Sequence, residues 1–315
     1  MAASLLAFLL LAALAVHWRA GARERAAMAS YPPEGRIVDA QGRKVHAVVR
    51  GRGPDLILIH GSSGNTRDFT HSFVDRLTDR YRVIVFDRPG LGYSDRLPKG
   101  AEGIHEQAAV LRAAALELGA DRPVVLGHSY GAAVALAWAL DAPDHAAAVV
   151  NVSGPSHPWA GPLPRLYQVN SSTLGAAVAV PLLTAFVGGA RVREAVAEIF
   201  APQPMPVGYA DHIGAPLTLR REPLRANATH RAVLKDEITA LAPRYAGFPV
   251  PLEIVHGDAD TTVSAKIHAE RMVADTGQAR LTVLPGVGHM PHHTNPDDVI
   301  AAIDRAARRA GLAAD

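Results

Sequence analysis

The sequence contains no cysteine. That absence removes disulfides, thiolate zinc sites, a cysteine nucleophile and a lipid-modified N-terminal cysteine together. It leaves the redox compartment open, because a chain without thiols tolerates either state. Excess charge is also scarce: 32 Lys and Arg stand against 30 Asp and Glu, a formal net charge of +2. Aromatic residues make up only 5%, and no basic run carries them interleaved. Nucleic acid is therefore not an expected partner. Hydrophobic residues at 49% and charged residues at 20% exclude a disordered chain and allow a sizeable core. No internal repeat occurs, and general alanine richness is the only compositional bias. A length of 315 residues fits one large domain or two small ones.

Formal charge is missing entirely from the side chains of Ala2–Trp18, with His17 taken as neutral. This segment spans about 25 Å as a helix, just short of a hydrocarbon core of about 30 Å. Arg19, Arg23 and Arg25 follow it, and no Lys or Arg precedes it. The expectation is an uncleaved membrane anchor over residues 1–18 and a linker over 19–35, with the positive flank and the body in the cytoplasm. The rivals are a signal peptide cut at the late small-residue site Ala27-Met28-Ala29, which would export the body, and a soluble apolar helix.

Short apolar runs then alternate with helical stretches. Arg36–Asp39 and Lys44–Val49 read as strands around the turn at Gln41-Gly42. Asp55–Ile59, Arg82–Phe86, Pro123–Leu126, Ala146–Val152, Leu252–Val255 and Leu281–Leu284 read as further strands. Several are continuous apolar runs, as expected of strands covered on both faces. Helical patterns occupy Phe69–Thr78, His105–Leu118, Gly131–Leu140 and Ala265–Thr276. The alternation predicts an α/β fold with a mostly parallel, doubly wound sheet. Between Ser153 and Pro251 no clean strand occurs, and 13 of the 23 prolines fall there. Residues 155–245 are therefore expected to form a helical cap over the C-terminal sheet edge. The core is then residues 36–154 and 246–315.

Gly127-His128-Ser129-Tyr130-Gly131 lies between an apolar strand and an alanine-rich helix. A sharp strand-to-helix turn of this kind lifts a serine hydroxyl above the sheet, and small flanking residues are needed where the backbone crowds itself. A nucleophilic serine needs a base, and the base needs an orienting acid. Asp258 and Asp260 follow the strand ending at Val255, and His289 follows the strand ending at Leu284. All then emerge at one sheet edge, where ligands bind in open α/β sheets.

With these residues in place, the chain resembles the α/β-hydrolase superfamily over about residues 35–310, in its lidded serine-hydrolase branch. The motifs that carry the resemblance are His60-Gly61-Ser62-Ser63-Gly64, Asp87–Ser94, Gly127–Gly131, Gly257-Asp258-Ala259-Asp260, and Gly288-His289 before Asn295-Pro296. The resemblance implies Ser129 as nucleophile, His289 as base and Asp260 as acid, with Asp258 the alternative acid and more suited to holding the turn. It implies backbone donors at Ser62 and Tyr130 for the oxyanion. Relatives that dehalogenate or open epoxides carry aspartate at the elbow, so serine points to acyl chemistry.

The expected activity is hydrolysis of a carboxylic ester or related apolar acyl compound through an acyl-enzyme. C–C bond hydrolysis, perhydrolysis or acyl transfer with the same residues is the alternative. A non-catalytic ligand-binding role is the reading from another class. No cofactor is expected. His289, His292 and His293 imitate a metal cluster, but no carboxylate or cysteine pattern supports one, so no metal is expected. In the cap, His157, Trp159, Tyr167 and Phe186 are candidate pocket residues, and the apolar stretch Leu174–Val187 is expected beside Ser129.

Overall fold

The computed structural model describes residues 1–312; residues 313–315, the last of the segment assigned to the core, lie outside the described residues. The chain opens with one long helix, α1 (Ala2–Ser30), followed by β1 (Arg36–Asp39), β2 (Lys44–Arg50) and β3 (Asp55–Ile59). Helix α2 (Arg67–Thr70) and a 3-10 turn at Val74–Arg76 lead to β4 (Arg82–Phe86). Then come α3 (Ile104–Glu117), β5 (Val124–His128), α4 (Tyr130–Asp141) and β6 (Ala148–Val152).

Between β6 and the next strand lie seven α-helices, referred to below as the cap: α5 (Arg165–Ser171), α6 (Thr173–Ala177), α7 (Ala179–Phe186), α8 (Gly189–Ile199), α9 (Tyr209–His212), α10 (Ala215–Thr218) and the long α11 (Arg221–Leu241). The core resumes with β7 (Leu252–Gly257), α12 (Ala269–Thr276), β8 (Arg280–Leu284), α13 (Pro291–Thr294) and α14 (Pro296–Arg309).

One eight-stranded sheet runs in the order β1-β2-β4-β3-β5-β6-β7-β8. The β1–β2 and β2–β4 pairs are antiparallel, and every other pair is parallel. The fold is the α/β-hydrolase fold. Strand alternation divides the core into two layers. Ile57 and Ile59 of β3 pack with Ile84, Val125, Ile104, Leu111 and Trp138 on the α3–α4 face. Leu56 and Leu58 pack with Val83, Leu126, Phe69, Val299 and Ile303 on the α14 face. Period-two alternation in strands buried on both sides requires this split. Full burial of each such Leu or Ile stabilises by about 1.5–3 kcal/mol.

Several strand and helix ends shift by one to four residues, as in α12, which starts at Ala269 rather than Ala265, and two expected segments differ more. Helix does not stop at Trp18 but continues to Ser30, so most of the expected 19–35 linker is ordered helix. Its second half finds partners on the cap: Arg19 Nε donates to Ala185 O (2.9 Å), Arg23 Nη2 donates to Val187 O (2.6 Å), and Glu24 pairs with Arg221 (2.6 Å). The Phe69–Thr78 helix is instead α2 plus the 3-10 turn.

Candidate active site

Strand β5 ends at His128 and α4 begins at Tyr130, which leaves Ser129 alone at the turn with φ +53°. A positive φ is strained for a side-chain-bearing residue, and such strain collects at functional sites. The turn is possible because its flanks have no Cβ. A Cβ at Gly127 would lie 2.2 Å from Gly131 O, and one at Gly131 would lie 2.1 Å from Ile59 O.

His289 Nε2 lies 2.9 Å from Ser129 Oγ, and His289 Nδ1 lies 2.7 Å from Asp260 Oδ2. All three residues are buried. Burial alone would raise the Asp260 pKa. Hydrogen bonds from His256 and His289, the charge of His289 and the Val263 amide outweigh it and hold the carboxyl below its ordinary range. An ionised Asp260 only accepts, so Nδ1 of His289 carries a proton, and in the neutral ring Nε2 is the acceptor that faces the serine. Oδ1 of Asp260 accepts from the amides of Thr262 (2.8 Å) and Val263 (2.9 Å). Asp258 is elsewhere: it is exposed, and its Oδ1 accepts from Gly286 N (2.6 Å), tying the loop after β7 to the loop after β8.

The loop after β3 faces the serine, since a Cβ at Gly61 would stand 3.0 Å from Ser129 Cβ. Sequence reasoning missed what aims this loop. Arg88, fully buried, donates from Nε to His60 O (3.0 Å) and from Nη2 to Gly61 O (3.0 Å). His60 Nδ1 also lies 2.9 Å from Gly61 O. In a trans peptide the N–H points opposite to the C=O, so fixing Gly61 O fixes the direction of the Ser62 N–H. Among the described residues neither the Ser62 nor the Tyr130 amide donates to a protein acceptor, and Ser62 Oγ is also without a partner. Burial lowers the Arg88 pKa to about 10, and it stays charged at neutral pH, 4.2 Å over the Tyr130 ring. The cap holds the next residue: Ser63 N donates to Asn227 Oδ1 (2.9 Å), and Thr218 Oγ1 donates to Ser63 O (2.8 Å).

A second buried network abuts the histidine. His128 Nε2 donates to His289 O (2.9 Å), and its Nδ1 faces Asp68 Oδ2 at 3.9 Å. Asp68 Oδ1 has Tyr209 OH at 2.7 Å, His293 Nε2 at 2.9 Å and His292 Nε2 at 3.3 Å. Asp68 thus brings a carboxylate to His292 and His293 from a distant part of the sequence. Asp68, His128 and His292 bring ligand-type atoms within 4.8 Å of one another and are the residues that would hold a cation here. Burial would raise the Asp68 pKa, but the charges and hydrogen bonds of His292 and His293 hold it well below the usual value. Burial, with His292 and His289 nearby, holds His128 neutral.

Each of the four candidate pocket residues has its own partners. His157 is buried, with Nε2 at 2.8 Å from Asp275 and Nδ1 at 2.9 Å from Ser156 Oγ. Trp159 packs edge-on against His268, and Tyr167 lies under Arg231. Phe186 is exposed and lies under Arg19 of α1. The Leu174–Val187 stretch, expected beside Ser129, packs on α1, α5 and α11 instead. Apolar composition does not distinguish a pocket wall from an outer cap face. Residues between β6 and β7 that reach the loops around Ser129 and His289 include Thr218 and Asn227 at Ser63, Gln203, which accepts from Gly288 N (2.9 Å) and donates to Gly286 O (2.7 Å), and Ala201, whose carbonyl would lie 2.1 Å from a Cβ at Gly288. Beside them, Phe200, Tyr209, Ile213 and Met290 form a small apolar cluster next to His289.

Comparison with known proteins places the chain in a family. The family described as alpha/beta hydrolase fold matches residues 54–296. Haloalkane dehalogenase 2 of Mycobacterium tuberculosis is 25% identical over 292 residues, covering 87% of this chain and 94% of that protein. Among solved structures, the epoxide hydrolase CorEH superposes with a TM-score of 0.71 at 18% identity, covering 87% of this chain and 98% of its own. A thermophilic esterase from Thermogutta terrifontis superposes with a TM-score of 0.66 at 22% identity, with coverage of 87% and 98%.

Proposed function

Because the chain belongs to the α/β-hydrolase family and is a hydrolase of that family, we propose that it cleaves a carboxylic ester or related acyl compound through an acyl-enzyme on Ser129. The observation that carries this reading is the unbroken hydrogen-bonded line Ser129–His289–Asp260. Ser129 Oγ attacks the acyl carbon as His289 Nε2 takes its proton. The oxyanion is met by the Ser62 and Tyr130 amides. The tetrahedral intermediate expels the alcohol, which leaves with the proton from His289. A water then repeats the sequence and frees the acid.

The dehalogenase relative does not transfer its chemistry. Displacement of a halide by a serine oxygen would leave an ether, which water does not cleave as it cleaves an ester. A carboxylate nucleophile is needed there, and Ser129 is not one. An apolar acyl group is the substrate class we favour, on the apolar cluster of Phe200, Ile213 and Met290 next to His289.

α1 is long and apolar enough to cross a membrane. We take it as an uncleaved anchor, with the Arg19, Arg23 and Arg25 side in the cytoplasm. A mature N-terminus at or near Ser30 would mean cleavage and export instead. A panel of esters, thioesters and β-diketones tests the activity. Ester turnover supports the proposal, whereas cleavage of β-diketones alone would move it to C–C hydrolysis. Binding without turnover would move it to a ligand-binding role.

A further inference from the structure

Helix α1 is two things in one rod. Its first half is apolar and exposed, with Leu5, Leu6, Phe8, Leu10, Leu11 and Leu14 all more than half accessible. Its second half is docked: Ala20 and Ala27 are buried, and Arg19 and Arg23 bond to carbonyls at the end of α7. The cap is therefore fixed to the helix where its uncharged segment ends. Phe186 lies 5.3 Å beneath the Arg19 guanidinium, so the two share one depth along the rod.

The cap surface that adjoins this junction is apolar. Leu166, Val169, Leu174, Val178, Leu182 and Phe186, from α5, α6, α7 and the break between the last two, are between 41% and 76% exposed. Between α5 and α7 runs an open groove of about 680 Å³, walled by Leu166, Val169, Leu182, Leu183 and Phe186, with Arg165 also on its wall. A soluble surface seldom exposes so many large apolar side chains together. Resting on the reading of α1 as an anchor, we propose that the α5–α7 face is a second membrane contact and that its groove takes an acyl chain of a bilayer lipid.

The occupant follows from continuity with α1. A spanning segment that ends at Trp18 sets Arg19 at the headgroups, and Phe186 with it. An amphipathic face at that depth lies in the interface, with its apolar residues among the acyl chains and its arginines toward phosphate. Arg19 and Arg165 are placed to do this at either part of the face. The inference adds to the proposed reaction a binding site for lipid on the outer cap, apart from Ser129.

The absence of native cysteine permits a clean test on the full chain. Single variants Leu10→Cys in α1, Leu174→Cys, Leu182→Cys and Phe186→Cys in the cap, and Leu116→Cys on exposed α3 carry an environment-sensitive fluorophore. They are reconstituted in phosphatidylcholine–phosphatidylglycerol vesicles with doxyl-labelled lipid. The expected result is blue-shifted, doxyl-quenched emission at Leu10, Leu174 and Phe186, and water-like emission at Leu116. At Leu182 a mid-chain doxyl should quench more than a headgroup label. Quenching at Leu10 with water-like emission at Leu174 and Phe186 overturns the proposal and leaves the anchor standing. Water-like emission at Leu10 overturns the anchor reading and the proposal with it. Blue-shifted cap emission without lipid, at a dimeric mass, assigns the face to a second copy. Headgroup-only quenching at Leu182 removes the acyl chain from the groove.

Discussion

Replacing Asp260 with asparagine tests the hydrogen-bonded line at its most informative atom. The side chain keeps its shape, and one amide oxygen can still accept from Thr262 and Val263. The atom 2.7 Å from His289 Nδ1 then becomes an NH2 group, which only donates. His289 must place its proton on Nε2, where it points at Ser129 Oγ instead of accepting from it. The precedent for this tautomer trap in a serine hydrolase is a fall of about 10⁴ in kcat, which corresponds to about 5.4 kcal/mol of barrier at 1.36 kcal/mol per decade. The new NH2 also meets His256 Nε2, which lies 3.3 Å from the same oxygen and 2.8 Å from Val263 O, so that the two donors oppose each other. The control is Asp258→Asn, which alters only an exposed turn bond to Gly286. A single such bond is worth about 1 kcal/mol of stability and nothing in the chemical step. Steady-state hydrolysis of p-nitrophenyl acetate gives kcat, and thermal unfolding gives stability. A loss under tenfold in Asp260→Asn, or a larger loss in Asp258→Asn, would refute the reasoning.

Three further outcomes are expected. Arg88→Met removes the donors on His60 O and Gly61 O, so the Ser62 amide loses its aim; kcat should fall by about 10–100-fold, part of the cost of an oxyanion donor, with a lowered Tm, and an unchanged kcat in folded protein would rule out this role. Stability should fall as the pH drops from about 7 toward 4, followed as Tm against pH. The folded pKa values of His60 (about 4, from burial and then Arg88) and His268 (about 3, from burial and then His256) lie below the unfolded value. The unfolded chain therefore binds more protons below about 6.5, and the stability present above that pH is lost on acidification; a flat profile over that range would contradict it. For p-nitrophenyl esters from acetate upward, kcat/KM should rise with chain length, at up to about 0.8 kcal/mol for each methylene buried; a maximum at acetate would remove the apolar substrate.

Much of this was legible because the chemistry follows the sheet. Strands β3 and β4 are continuous apolar runs, and their ends coincide with Asp55, Ile59, Arg82 and Phe86 as read. Once strand ends are known, Ser129, Asp260 and His289 fall on one edge without further information. What stayed illegible depends on contacts between residues distant in sequence. Nothing local indicates that Asn227, 164 positions away, bonds to the Ser63 amide, or that Arg88 spans to Gly61 O. Asp68 reaches His293 across 225 positions. Helix α14 had local signals, with Pro296 at its start, Asp297 and Asp298 in its first turn and Arg308 and Arg309 in its last, but it was not among the expected helices. The extension of α1 beyond Trp18 could not be read, because Arg19 and Arg23 look like a polar flank until the carbonyls of Ala185 and Val187 are placed beside them.

The central claim is that Ser129 is an activated nucleophile, and a fluorophosphonate probe tests it most directly. The account predicts one covalent adduct, found by peptide mass spectrometry on the peptide containing Ser129. Labelling should be absent in Ser129→Ala and strongly slowed in Asp260→Asn. Folded wild-type protein that leaves Ser129 unlabelled, or an equal adduct in folded Ser129→Ala, would contradict it.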